Sequence, residues 1–72
     1  MLPLPLAEYG EEQIIERVGG SPKVRTHLEN LGFNPGSTVT VVTESMGNVI
    51  VKVKEARIAL DKEMAMKIMV RA

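Results

Sequence analysis

Leu31-Gly32-Phe33-Asn34-Pro35-Gly36 divides this chain of 72 residues into two halves with different periodicities. To its left, Val24, Leu28 and Leu31 recur at the spacing of one apolar helix face, with Ser21 as N-cap and Pro22 at the first helical position. To its right, from Thr38 to Leu60, apolar and polar residues alternate as in strands. Gly32 suits the left-handed backbone that ends a helix, and Pro35-Gly36 suits the centre of a type II turn, where a fixed φ is followed by a positive one. Gly32, Pro35 and Gly36 are therefore read as structural turn residues. Leu31 belongs to the core, and Phe33 either covers one end of it or faces a partner.

Working outward, Thr38 to Thr43 reads as a strand with Val39 and Val41 on one face and Val42 on the other. Met46-Gly47-Asn48 suits a hairpin tip. Asn48 to Lys54 sends Val49, Val51 and Val53 inward and Ile50, Lys52 and Lys54 outward. A reversal is expected at Glu55-Ala56, then a short strand from Arg57 to Leu60 with Ile58 and Leu60 inward. Asp61 reads as the N-cap of a short helix over 62–67 that carries Met64 and Ile68 to the core. Ile68 to Arg71 closes as a last strand, with Ile68 and Val70 opposite Met69.

On the other side of the helix, Glu12 to Val18 is a strand whose core residues are expected to be Ile14 and Val18, ended by Gly19-Gly20. Leu2, Leu4 and Leu6 alternate with Pro3 and Pro5, which remove ladder donors and favour an extended arm laid on the body, its leucines capping the core. A helical turn from Leu6 to Gly10 is expected to end that arm. About five short strands, tight reversals and a helical turn before the last strand imply a mainly β, SH3-like small barrel with one inserted helix, in a single domain spanning 1–72.

Composition narrows the chemistry. Apolar residues make up 44% of the chain, but with one Phe, one Tyr and no Trp the core must be built from Val, Ile, Leu and Met. Nine basic and nine acidic side chains cancel. Residues 1–36 carry three positive and five negative, residues 37–72 six and four, a gradient of −2 to +2 that is too weak for a nucleic-acid face. The absence of cysteine removes disulfides and thiolate metal sites and fits a reducing compartment. With no basic leader and no apolar run approaching ~20 residues, the expectation is a soluble, cytoplasmic protein without membrane insertion.

No catalytic constellation emerges. His27, the single histidine, has no serine or acid at a nucleophile spacing, and Glu29, Asp61 and Glu63 make no recognisable metal-ligand pattern with it. Glu11-Glu12 are solvated neighbours rather than an acid/base pair. Gly19-Gly20-Ser21 lacks the lysine and glycine spacing of a P-loop, and Pro22 removes one amide donor from any phosphate cradle. The expectation is a non-enzyme with no cofactor and no metal site. What remains is an apolar surface drawn from Phe33, Val42, Met46, Ile50, Met66 and Met69, with Lys52, Lys54 and Arg57 to steer docking onto an acidic partner.

The order of these pieces resembles the FeoA family of bacterial ferrous iron uptake. The resemblance runs over residues 6–71: Gly10 and the strand at 13–18, the helix at 24–31, Leu31-Gly32-Phe33-Asn34-Pro35-Gly36, then Val39, Val41 and Val42, Met46-Gly47-Asn48, Ile58-Ala59-Leu60, and Glu63, Ala65 and Ile68 to Val70. The chain departs from the family pattern at Glu55-Ala56, where glycine and an aromatic residue are common. The mid-chain loop also lacks the proline often found after its glycine, and Asp61 stands in place of the usual basic residue after Ile58-Ala59-Leu60. The resemblance implies an SH3-like barrel acting in iron transport, a transition-metal system, on the cytoplasmic side of the FeoB-type GTP-binding membrane transporter. A homo-oligomer is allowed. It also implies a second class of function, since the same domain type ends metal-dependent repressors: a regulatory or nucleic-acid-binding small barrel. Direct metal sensing through His27 is a third.

Overall fold

The structure is a computed structural model, and it describes residues 1–71. Its strands are β1 (Leu2–Pro3), β2 (Glu12–Val18), β3 (Thr38–Ser45), β4 (Asn48–Val53), β5 (Ala56–Asp61) and β6 (Ile68–Val70), with helices α1 (Pro22–Asn30) and α2 (Lys62–Ala65). They form one six-stranded antiparallel sheet in the order β1-β6-β2-β3-β4-β5. The expected strands are present, and the sixth is the two-residue β1, paired to β6 through Leu2–Val70 and Pro3–Met69.

β2 turns the sheet into a partly closed barrel. Its first residues pair with β3 and its last with β6, and the register slips between Ile15 and Arg17. Such a bulge bends the strand and adds a residue to the spacing. That is why Ile15 and Val18, three apart, both reach the core, while Ile14 is only half-buried. Strict alternation favoured Ile14 over Ile15, and the bulge reverses the choice.

The 31–36 segment closes α1 as its residue types dictate. The Gly32 amide donates to Glu29 O at 3.0 Å and the Phe33 amide to Leu28 O at 3.0 Å, the paired bonds of a Schellman motif, with Gly32 at φ 110°. Ser37 then donates to Asn34 O at 2.9 Å across a turn whose third residue, Gly36, has φ 90°. The turn continues the β2–β3 ladder, because the Gly36 amide donates to Ile15 O and the Ile15 amide to Ser37 O. Phe33 is fully buried with Leu28 in the core. Its place as a partner-facing residue is therefore corrected: the Schellman geometry aims the residue after Gly32 back onto the helix it ends.

The core is otherwise aliphatic: Leu4, Ile15, Val18, Leu28, Val39, Val41, Val49, Val51, Val53, Leu60, Ile68 and Val70 are buried, with Leu2, Val24, Leu31, Ile58 and Met64 packed around them. α2 begins where Asp61 Oδ1 accepts from the Met64 amide at 2.7 Å, and α2 packs against β4, β5 and a 3-10 turn at Leu4–Leu6. It thus ties the β4–β5 end of the ribbon to the N-terminal turn. In this helix the buried residue is Ala65, and Met64 is half-buried.

Three local expectations shift. The turn that ends the N-terminal arm is Leu4–Leu6 rather than 6–10, and Leu6 is 65% exposed, so only Leu4 and Leu2 cover the core. The β4–β5 reversal is Lys54-Glu55, one residue earlier than Glu55-Ala56, because Val53 pairs with Ala56. No described helix is long and apolar enough to cross a membrane.

Candidate partner-docking face

The ribbon β3–β4–β5 has two unlike faces. Val39, Val41, Val49, Val51, Val53 and Leu60 enter the core. By strand parity, the opposite face carries cross-strand rows set by the register: Thr40–Lys52–Arg57 and Thr43–Ile50–Ala59. A bulge at Val42, where the register slips between Val41 and Thr43, opposes two residues of β3 to Ile50 and leaves Val42 half-buried beside the second row. An apolar strip of Val42, Ile50 and Ala59 thus lies beside a cationic strip.

Among the described residues these cations form no ion pair, and the one acid in their row, Glu12, stands beyond Thr40 on the far side of β3. Lys52 and Arg57 face each other directly across β4 and β5, a like-charge pairing that costs stability. Among the described residues the ion pairs are Lys62–Glu44 at 3.7 Å and Arg71–Glu16 at 3.9 Å, both at the surface and both away from this face. A shallow depression of about 130 Å³ lies along the face, lined by Glu12, Thr38, Val39, Thr40, Lys52 and Lys54. It is well below the ~300 Å³ at which small-molecule pockets begin, so the face suits a protein surface better than a nucleotide.

Both turns of the ribbon are conformationally costly. Met46-Gly47 closes β3–β4 with φ 52° and 81°, the left-handed pair that a two-residue hairpin demands, and Met46 is 97% exposed. A methionine there gains nothing from packing and pays the left-handed penalty, about 1–2 kcal/mol. Lys54 has φ 57° in the β4–β5 turn. These two residues mark the ends of the face.

Of the nine residues proposed for partner contact, Val42, Ile50, Lys52 and Arg57 share this face, and Met46 and Lys54 flank it. Met69 lies on another wall, in register with Pro3 and Arg17, and Met66 is exposed at the end of α2. Phe33 is inside. Thr40 and Ala59 were overlooked, although parity with Val42's strand and with Ile58 already placed them outward. Glu12 joins only through the β2–β3 pairing, which no local pattern reveals. His27 is exposed on α1, and among the described residues no three His, Cys, Asp or Glu side chains are grouped to hold a metal. The chemistry available to this face is recognition by charge and apolar contact.

Comparison with known proteins agrees with this architecture. The FeoA domain family matches residues 2–72. A Methanocaldococcus jannaschii protein provisionally named Fe(2+) transport protein A is 37% identical over 70 residues, covering 97% of this chain and 85% of that one. The crystal structure of an iron uptake regulatory protein (FeoA) superposes with a TM-score of 0.86 at 36% identity, over 97% of this chain and 93% of that one. A zinc complex of Stenotrophomonas maltophilia FeoA, described as a procaryotic SH3 domain protein, gives a TM-score of 0.72 at 26% identity over 85% and 78% of the two chains. The same fold is found within ScaR crystallised with Cd2+, at a TM-score of 0.86 and 25% identity, where 99% of this chain spans 34% of that one.

Proposed function

The chain belongs to the FeoA family, and from that premise we propose that it is a non-catalytic cytoplasmic accessory of ferrous iron uptake that docks on the cytoplasmic portion of the FeoB-type GTP-binding transporter. The observation that carries this reading is the outer face of β3–β5, where Lys52 and Arg57, facing each other and in no ion pair among the described residues, lie beside Val42, Ile50 and Ala59. Cations of this kind steer encounter with an acidic surface, and the apolar strip holds it. Co-purification of the full chain with the transporter's cytoplasmic portion tests it. Wild type is expected to be retained and the double variant Lys52→Glu/Lys54→Glu lost. Absence of a wild-type complex overturns the docking, and retention of the double variant moves it off this face.

The fold shared with ScaR supports a second reading, a regulatory small barrel that contacts nucleic acid. Three cations on a chain of zero net charge supply a weak electrostatic footprint for that role. A duplex gel shift at low salt that disappears in Lys52→Glu/Lys54→Glu is the result that favours it over transporter docking.

A further inference from the structure

The two ends of the sheet are protected very differently. β1 is two residues long and contains Pro3, followed by Pro5, which is how natural sheets blunt an edge. β5 is six residues long, free of proline, glycine and bulges, and paired along its whole length to β4, its one strand partner among the described residues. Val53 and Ala56 flank a two-residue turn and so form a hydrogen-bonded pair; alternation makes Val51–Ile58 and Val49–Leu60 such pairs too. Lys62, of the same parity, donates to Gly47 O. The backbone groups of Ala56, Ile58 and Leu60 therefore point to β4. Those of Arg57, Ala59 and Asp61 point outward along an open edge, and all three residues are exposed.

We propose that β5 pairs antiparallel with β5 of a second copy of this chain, about a two-fold axis through Ala59. Self-pairing requires the outward-directed residues 57, 59 and 61 to meet one another, and the Ala59 register engages all three. It sets Ala59 against its own copy, where the small side chain leaves room at the axis. It sets Arg57 opposite Asp61 of the other copy, twice, on the outer face. Ile58 then lies beside Leu60 of the other copy on the core side, continuing the apolar layer. The register also answers an imbalance within one chain: Arg57 faces Lys52 with no acid beside it, and the second copy supplies the carboxylate. One oxygen of Asp61 caps α2, leaving the other for this pair. The row Thr43–Ile50–Ala59 becomes continuous across both copies, so two outer faces form one surface. A single-edge interface is small, and the association is weak and concentration-dependent.

The chain has no cysteine, which makes a cross-linking test clean. Residues facing each other in a hydrogen-bonded pair have Cα atoms about 5.5 Å apart, within disulfide reach of roughly 4.4–6.8 Å. Ala59→Cys should therefore trap a covalent dimer in a glutathione redox buffer. Arg57→Cys should not, because its copy lies about 14 Å away after a four-residue offset at ~3.4 Å per residue. In sedimentation across a concentration series, wild type should rise from 7.9 kDa towards twice that mass. Ala59→Asp, which puts like charges at the axis of an exposed position, should stay monomeric with unchanged circular dichroism and thermal unfolding. A wild type that is monomeric at every concentration overturns the proposal, as does a dimer that survives Ala59→Asp. Preferential trapping of Arg57→Cys overturns the register. None of these readouts involves the transporter, so they separate this pairing from the docking proposed above.

Discussion

The segment 31–36 and the ribbon β3–β4–β5 solve opposite problems with the same backbone device, a positive φ. In the first, Gly32 and Gly36 take left-handed dihedrals, the orphan amides at the helix end find acceptors, and Phe33 is driven inside. In the second, Met46 and Lys54 take them at exposed turns, Met46 with almost no burial to compensate, beside paired cations and an unprotected strand edge. The first region is consistent at every level of its chemistry. The second tolerates conflict, and such conflict tends to gather where a protein meets something else. The two regions touch: a Cβ at Gly32 would lie 3.7 Å from Val53 Cγ2 and 3.9 Å from the Lys54 stem.

The contrast can be broken hardest at Phe33. Phe33→Ala should cost about 3–5 kcal/mol in chemical denaturation, a large share of the stability of a domain this small. Gly32→Ala should cost about 1 kcal/mol or more for a conformational reason, since its Cβ would meet only ordinary contacts; Gly36→Ala, with open space around it, should match it. Unequal losses at the two glycines would show that sterics, not φ, decides. Asp61→Ala should lose roughly 0.5–2 kcal/mol by uncapping α2, and Asp61→Asn should restore most of it.

On the ribbon the signs change. Met46→Asn should stabilise the chain by up to about 1 kcal/mol, because asparagine bears the left-handed conformation more easily. A neutral or destabilising result would mean that Met46 has contacts of its own. Lys52→Ala should leave stability within about 0.5 kcal/mol while slowing association with an acidic partner, read as a salt-dependent on-rate.

Much of the fold was legible in the chain because it rests on short-range chemistry. Ser21-Pro22 starts a helix, Gly32 ends it, Asp61 caps the last one, and alternating valines between Thr38 and Val53 make strands with one buried face. The bulges were not legible. Whether Ile14 or Ile15 faces inward depends on β2 pairing with two different strands, and Val42's half-buried place depends on a slip against β4. Of the candidate face, alternation indicated Ile50, Lys52 and Arg57, while Glu12 enters only through a neighbour distant in sequence.

By itself, then, the sequence determined the kind of most elements, the caps that start and end α1 and start α2, and which residues in the ribbon face away from the core, since propensity, capping and periodicity act over a few residues. The tertiary structure alone decided the rest. It placed Phe33 inside, set Lys52 against Arg57 with no acid between them, and left β5 open at one end of the sheet while β1 closed the other. Those are consequences of register and strand order, which arise from pairings between residues far apart in the chain.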